Sequence, residues 1–241
     1  MGTPSLASLS AMALPLAFVS LPLYVLLPNR YAAHFGVSLT ALGALLLAVR
    51  ALDAVLDPWL GLWCDRWFAI GTARVRQRSV WLCLGLMLSF AGLWLPDVWL
   101  SQFGLDITPV AILALAAPSL VVAYLAATAL NLGLQSWGTR WGGTVLQRSR
   151  ITAWREGVGL VGVVLASVLP SVFNASWLVI FFAILLAAAL WLWRYAPTMA
   201  HTATGLTEES SWLSPLTQPA FRSCCKCFCS TALPALCRPH W

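Results

Sequence analysis

The chain has 241 residues, of which 60% are hydrophobic and only 9% are charged. Soluble domains carry about 25% charged residues, so this composition excludes an ordinary soluble fold and indicates that lipid surrounds most of the chain. The formal net charge of +6 does not indicate a nucleic-acid partner, because the position of the basic residues matters more than their sum.

Six apolar stretches come close to the ~20 residues that a membrane-spanning helix needs. In chain order they cover roughly residues 6–27, 39–63, 80–95, 109–134, 153–172 and 177–193. Each is predicted to be helical, because an open strand would leave backbone groups unpaired in hydrocarbon. No Lys or Arg precedes the first stretch, which is therefore predicted to be a retained helix and not a signal peptide. We predict an all-α membrane protein with a six-helix transmembrane domain over residues 1–195.

Basic residues are concentrated in alternate links between the predicted spans. The links after spans two and four contain Arg66, Arg74, Arg76, Arg78, Arg140, Arg148 and Arg150, and Arg194 follows span six. The opposite links contain Asp97 and Asp106, with Arg30 as their only clear basic residue. Since positive residues favour the cytoplasmic side, both termini are predicted to be cytoplasmic.

The second span contains charged residues that are costly inside a bilayer. Arg50, Asp53, Asp57 and Gly61 are spaced three, four and four residues apart, so they share one helical face. Each charge costs about 2.5–3.5 kcal/mol near the bilayer centre, so this face should point into the bundle. The two acids could bind a sodium ion or hold one proton, with Arg50 compensating them when no cation is bound. The alternative is an ionic cluster that only fixes packing, and a break at Pro58 fits either interpretation.

Polar residues on two other spans are candidates for the wall of a cavity. Tyr124, Thr128 and Asn131 form a stripe on the fourth span, and either of the last two could supply oxygen to a cation. Ordinary hydrogen bonds between helices explain this stripe equally well. Tyr24 on the first span could line the same cavity or anchor that helix at the membrane interface.

The fifth span begins with a charged pair and continues with small residues. Arg155 could bind a hydroxyl or carboxylate of a substrate, or its side chain could extend to the cytoplasmic surface. Gly157, Gly159 and Gly162 would allow a neighbouring helix to approach closely.

Two blocks of sequence resemble a known transporter family. The second span and its continuation read Arg50-x-x-Asp53-x-x-x-Asp57-Pro58-x-x-Gly61-x-x-x-Asp65-Arg66. This resembles the second-helix signature of the glycoside–pentoside–hexuronide:cation symporters, the melibiose-permease-like branch of the major facilitator superfamily. A second block, over residues 137–170, resembles the link between helices four and five and the start of helix five in that family. The resemblance covers roughly residues 10–222.

The resemblance implies a cation:solute symporter of sugars or sugar-like molecules, and not an enzyme. Asp53 and Asp57 match the cation-site acids of the family, and Arg155 matches an arginine at its sugar site. Gly61, Asp65 and Arg66 match the gating loop of the wider superfamily. The bundle would be the N-terminal half of a major facilitator fold in a bacterial inner membrane. Transport would then need the C-terminal half or a second copy, with sodium or a proton as the coupling ion and no other cofactor.

The chain departs from the melibiose-type carriers, because its first span has no acid and Thr128 stands at the comparable place on the fourth. This argues against a galactoside, and related carriers also move lysolipids and other organic solutes. A non-transporting fragment or membrane scaffold is the main alternative. A membrane-embedded enzyme has little support, because no nucleophile–base arrangement or paired metal motif is recognisable in the spans.

The sequence changes character near its C-terminus. Residues 196–222 are predicted to be a cytoplasmic linker, and residues 223–241 form a cysteine-rich tail. We interpret this tail as the product of truncation or a frameshift after residue 222. A metal site is the alternative, although the spacing is poor for structural zinc. Its ligands would be Cys224, Cys225, Cys227 and Cys229.

Overall fold

The computed structural model describes residues 7–195, except residues 9, 105, 142 and 143, and all regular structure within these residues is helical. The predictions for the linker at 196–222 and the tail at 223–241 lie outside the described residues. The helices that position the candidate site are α1 (Ala13–Phe35), α2 (Leu39–Ile70), α3 (Thr72–Trp94), α4 (Pro96–Gln102), α5 (Pro109–Trp141), α6 (Val145–Val172) and α7 (Ala175–Trp193).

The described helices confirm the predicted all-α bundle, with five or six candidate membrane-spanning units where the sequence predicted six. Helices α1, α2, α5, α6 and α7 are each long and apolar enough to cross a membrane. The count reaches six if α3 and α4, which are bent by 93° relative to each other, are taken together as one span. The helices are longer than the apolar stretches, and only Gly71, with φ of 131°, separates α2 from α3. Most of the arginine-rich link is therefore helical and is not a loop.

Helix α1 contains one irregular turn. Residues Pro22–Leu26 form a π-helical turn, in which the N–H of Leu27 donates to the Pro22 carbonyl five residues earlier. Pro22 lacks the N–H that an α-helix would use at this position, which favours a local change of hydrogen bonding. The helix then continues to Phe35, so Arg30, predicted to follow the first span, lies inside it.

Packing is organised around α5 and the pair α1–α6. Helix α5 contacts both α2 and α3, while α1 packs mainly on α6. Helix α7 joins the two groups through buried aromatic rings. The ring centre of Phe182 lies 5.9 Å from that of Phe18 on α1 and 4.5 Å from that of Phe90 on α3. At the arginine-rich end, Trp193 of α7 lies 5.1 Å from Trp137 of α5. Close van der Waals contact of this kind drives helix association in lipid, where the hydrophobic effect contributes little.

The end of α1 is fixed to the bend between α3 and α4. The Tyr31 hydroxyl donates to the Leu93 carbonyl at 2.9 Å, and Arg30 donates to the Trp94 carbonyl at 3.3 Å. The Arg30 guanidinium also lies 5.4 Å from the centre of the Trp94 ring. The last carbonyls of a helix have no partner within it, so α1 satisfies two groups that the bend leaves free.

Candidate functional site

The buried carboxylate of Asp53 is the centre of the candidate site. Asp53 is 5% exposed on α2, and its Oδ1 accepts a hydrogen bond from the Thr128 hydroxyl of α5 at 3.1 Å. Its Oδ2 lies 3.4 Å from Nη1 of Arg50, one turn earlier on the same helix. Both carboxylate oxygens therefore have partners, as a buried charge requires. The structure thus brings together the two helices on which the sequence places cation ligands.

Two tyrosines hold the guanidinium of Arg50. Its centre lies 4.7 Å from the ring centre of Tyr24 on α1 and 5.7 Å from that of Tyr124 on α5. The two rings are 5.4 Å apart. The Tyr124 hydroxyl is buried and has no hydrogen-bond partner among the described residues. Cation–π contacts contribute about 0.5–2 kcal/mol each. Arg50, which belongs to α2, is therefore held in place by contacts with α1 and α5 as well.

The rest of the charged face of α2 is not buried in the bundle. Asp57 lies one turn beyond Asp53 and is exposed, and the Arg50 side chain is 55% exposed. Gly61, a further turn along, has open space beside it. The prediction that this whole face points into the bundle is therefore wrong for Arg50 and Asp57, because the other described helices leave both side chains exposed.

The predicted break at Pro58 is also wrong, because α2 is continuous from Leu39 to Ile70. A proline in a helix removes one N–H but keeps helical φ. The result is a single carbonyl, that of Ala54, without its usual helical donor.

The other two predicted solute-binding residues lie in a neighbouring cavity of about 250 Å³. Asn131 of α5 and Arg155 of α6 line it together with Ser20 of α1. Asn131 lies about one turn beyond Thr128, and Ser20 about one turn before Tyr24, so the cavity and the Asp53 cluster occupy successive turns of the same helices. Nη2 of Arg155 pairs with Glu156 at 2.8 Å, and the Arg155 side chain is 25% exposed. The structure thus divides the four predicted solute-binding residues between two adjacent groups, with Tyr24 and Tyr124 beside Arg50 and with Asn131 and Arg155 in the cavity.

One of the predicted gating residues, Asp65, forms an ion pair with a residue of another helix. Asp65 of α2 accepts from Nη2 of Arg140 of α5 at 2.9 Å, and no pair between Asp65 and Arg66 occurs in the described part of the chain. The Arg140 guanidinium also lies 4.9 Å from the ring centre of Phe68. Sequence reasoning missed Arg140 as a site residue, because its only signal was membership of an arginine-rich link.

This ion pair is predicted to be weak on its own. The side chains of Asp65 and Arg140 are 56% and 37% exposed, and exposed pairs contribute about 0–1 kcal/mol. A double-mutant cycle with Asp65→Asn and Arg140→Gln, read from the free energy of unfolding, should therefore give a coupling below about 1 kcal/mol. A coupling several times larger would mean that the pair is desolvated in the working protein.

Comparison with known proteins gives one match. A family model described as MFS/sugar transport protein matches residues 8–213. No significant match was found among curated proteins or among solved structures. The matched segment includes all seven helices named above and every predicted site residue.

Proposed function

The chain belongs to the family of MFS/sugar transport proteins, and from this premise we propose that it couples the movement of a sugar-like solute to that of a sodium ion or a proton. The fold is the N-terminal half of a major facilitator fold, and the chain is a multi-pass membrane transporter. Assignment to the melibiose-permease-like branch is part of the proposal, and the motif around Asp53 and Asp57 supports it.

One observation carries the proposed coupling: a carboxylate buried in a membrane-spanning helix bonds to a hydroxyl of another helix. Asp53 and Thr128 supply oxygen ligands from α2 and α5, and Asp57 supplies a further carboxylate one turn away. Hard cations such as sodium prefer oxygen ligands, and two neighbouring acids can also share a proton. Ionisable groups within membrane-spanning helices mark ion pathways in membrane proteins.

Arg50 is proposed to compensate the site when no cation is bound. It contacts Asp53 at 3.4 Å, which is looser than the 2.7–2.9 Å typical of a strong charge-assisted bond. A cation that binds Asp53 would compete with Arg50 for the same carboxylate oxygen and weaken the contact between Arg50 and Asp53. Because Arg50 also stacks on Tyr24 of α1 and Tyr124 of α5, its release would alter contacts between three helices.

The solute is proposed to bind in the cavity between Asn131, Arg155 and Ser20. Its volume of about 250 Å³ lies slightly below the roughly 300–1,000 Å³ of sites for drug-sized ligands, which favours a small solute. An amide, a guanidinium and a hydroxyl are suitable partners for sugar hydroxyls. The cavity adjoins the Asp53 cluster along α1 and α5, so occupation of one site could change the other.

The exposed charges of α2 support a requirement for a second six-helix unit. Arg50 and Asp57 would each cost several kcal/mol facing lipid, so protein or a water-filled cavity should cover them. In carriers built from paired halves, the binding sites lie at the interface between the halves. The C-terminal half or a second copy is the proposed cover. The proposed setting is a bacterial inner membrane with both termini cytoplasmic.

Equilibrium binding of labelled mono- and disaccharides to the purified chain tests this function. At least one sugar should bind about 5–150-fold more tightly with sodium or at lowered pH, the usual range of coupling between sites. Arg155→Gln should weaken that binding, and uptake into vesicles should require an ion gradient. Sugar binding that is insensitive to both ions would refute coupling, and absence of binding and uptake for every sugar would favour the membrane scaffold.

A further inference from the structure

A second cavity lies between two helices that do not carry the candidate transport site. It is a groove of about 750 Å³ between the beginning of α3 and the end of α7. Its walls include Val80 and Leu190, and Arg76 and Arg194 lie at its polar end. None of the residues that line this groove belongs to the Asp53 cluster or to the neighbouring cavity, so the proposed function does not account for it.

Polar groups of the groove lack partners. Neither Arg76 nor Arg194 forms an ion pair with any residue that the structure describes. The Nε of Arg76 is buried without a hydrogen bond. Trp193 is 1% exposed, and its buried indole N–H likewise has no hydrogen-bond partner among the described residues. Buried donors are normally satisfied, so two residues of the groove wall with unsatisfied donors, beside the unpaired Arg194, favour an acceptor bound at this end of the groove.

The position of the groove indicates the charge of this acceptor. It opens at the end of the bundle where α2 ends and α3 begins, close in sequence to Arg74 and Arg78. Ala73, in the first turn of α3, also lines the groove, and the N-terminus of a helix favours an anion. Below the arginines the wall becomes apolar, with Val80, Ala187 and Leu190. The groove thus combines a cationic end with an apolar channel along the helices.

We propose that this groove binds an anionic phospholipid, with its phosphate on Arg76 and Arg194 and an acyl chain along Val80, Ala187 and Leu190. The exposed ring of Trp191 at the edge of the groove suits the interface between headgroups and acyl chains. Basic pockets between transmembrane helices have the chemistry that recognises acidic headgroups. A bound lipid would link α3 to α7 at the end where Trp193 packs on Trp137.

Native mass spectrometry of the full chain, titrated with phosphatidylglycerol, phosphatidylcholine or inorganic phosphate, tests the proposal. One copy of phosphatidylglycerol should bind more tightly than either other probe. Arg76→Gln and Arg194→Gln should each weaken it about tenfold, the effect of losing one charge-assisted hydrogen bond. Arg74→Gln is the matched control, since Arg74 is exposed nearby on α3 but does not line the groove. It should change the affinity less than about twofold.

A second pair of variants tests the acyl-chain channel without altering any charge. Ala187→Trp should fill the groove and reduce phosphatidylglycerol binding, whereas Ala188→Trp, also exposed but outside the groove, should not. Three results would overturn the proposal. The first is equal affinity for the two lipids, and the second is equally tight binding of inorganic phosphate. The third is an equal effect of each variant and its control, which would indicate a diffuse attraction to the arginine-rich end.

Discussion

The Asp53→Asn variant should lose all stabilisation by the coupling ion. At a sodium concentration about 100 times the dissociation constant, a bound ion adds about 2.7 kcal/mol to the free energy of unfolding. The substituted amide would keep a neutral oxygen for the Thr128 hydroxyl but would remove the buried charge that attracts the ion. Unfolding in detergent with sodium or choline chloride measures the difference. Because Arg50 is 55% exposed, the loss of its partner should cost little by itself.

Two further variants make this prediction specific. Asp106→Asn is the matched control, because Asp106 is exposed in the link before α5, far from the Asp53 motif in sequence. It should keep the full response to sodium. Thr128→Val removes a hydroxyl ligand but no ionisable group, so it should weaken a response to sodium and spare a response to protons. A sodium response that survives in Asp53→Asn would show that the ion binds elsewhere.

The Gly162→Ala variant should destabilise the bundle by about 1–3 kcal/mol, the usual cost of overpacking. A Cβ at this position on α6 would press against the carbonyl oxygen of Leu14 and lie 3.2 Å from the backbone nitrogen of Phe18. Both atoms belong to the backbone of α1, which cannot rotate away as a side chain can. Relief would require α1 and α6 to separate, although each is the main packing partner of the other.

The Gly157→Ala variant, on the same helix, should instead stabilise the bundle. A Cβ there has no atom within 4 Å, so only the better helix propensity of alanine remains, worth up to about 1 kcal/mol. The two variants should therefore shift the free energy of unfolding in opposite directions, as chemical denaturation in detergent can measure. Equal effects of both substitutions would mean that α1 does not approach α6 closely at Gly162.

Hydropathy was sufficient to find the six spans but not their ends. Apolar runs report the part of a helix that lies in lipid, whereas α2 and α3 continue through polar sequence until Gly71 allows the chain to turn. The third stretch is the exception at one end, because it was predicted to stop at residue 95, where the bend between α3 and α4 lies. Of the three glycines singled out on α6, only Gly159 and Gly162 approach α1, since Gly157 points to open space.

The candidate site was predictable only in part, because the sequence does not show which helices cover which residues. Helical spacing placed Asp53 and Asp57 on one face, but it could not show that only Asp53 would be covered by another helix. The Asp53–Thr128 and Asp65–Arg140 contacts each join residues 75 positions apart, and no local pattern specifies which residues of two distant helices meet. The stripe on α5 predicted Thr128 as a candidate, whereas Arg140 had no comparable signal.

The π-helical turn of α1 sets the rotational relation between the two ends of that helix. An α-helix advances about 100° per residue, so the one extra residue held in the turn changes the direction of every side chain beyond it. Tyr24 lies in the turn beside Arg50, and Tyr31 lies beyond it on the Leu93 carbonyl. A regular helix could satisfy one of these contacts but would rotate the other away. The turn therefore lets a single helix hold the ion-site arginine and the α3–α4 bend at the same time.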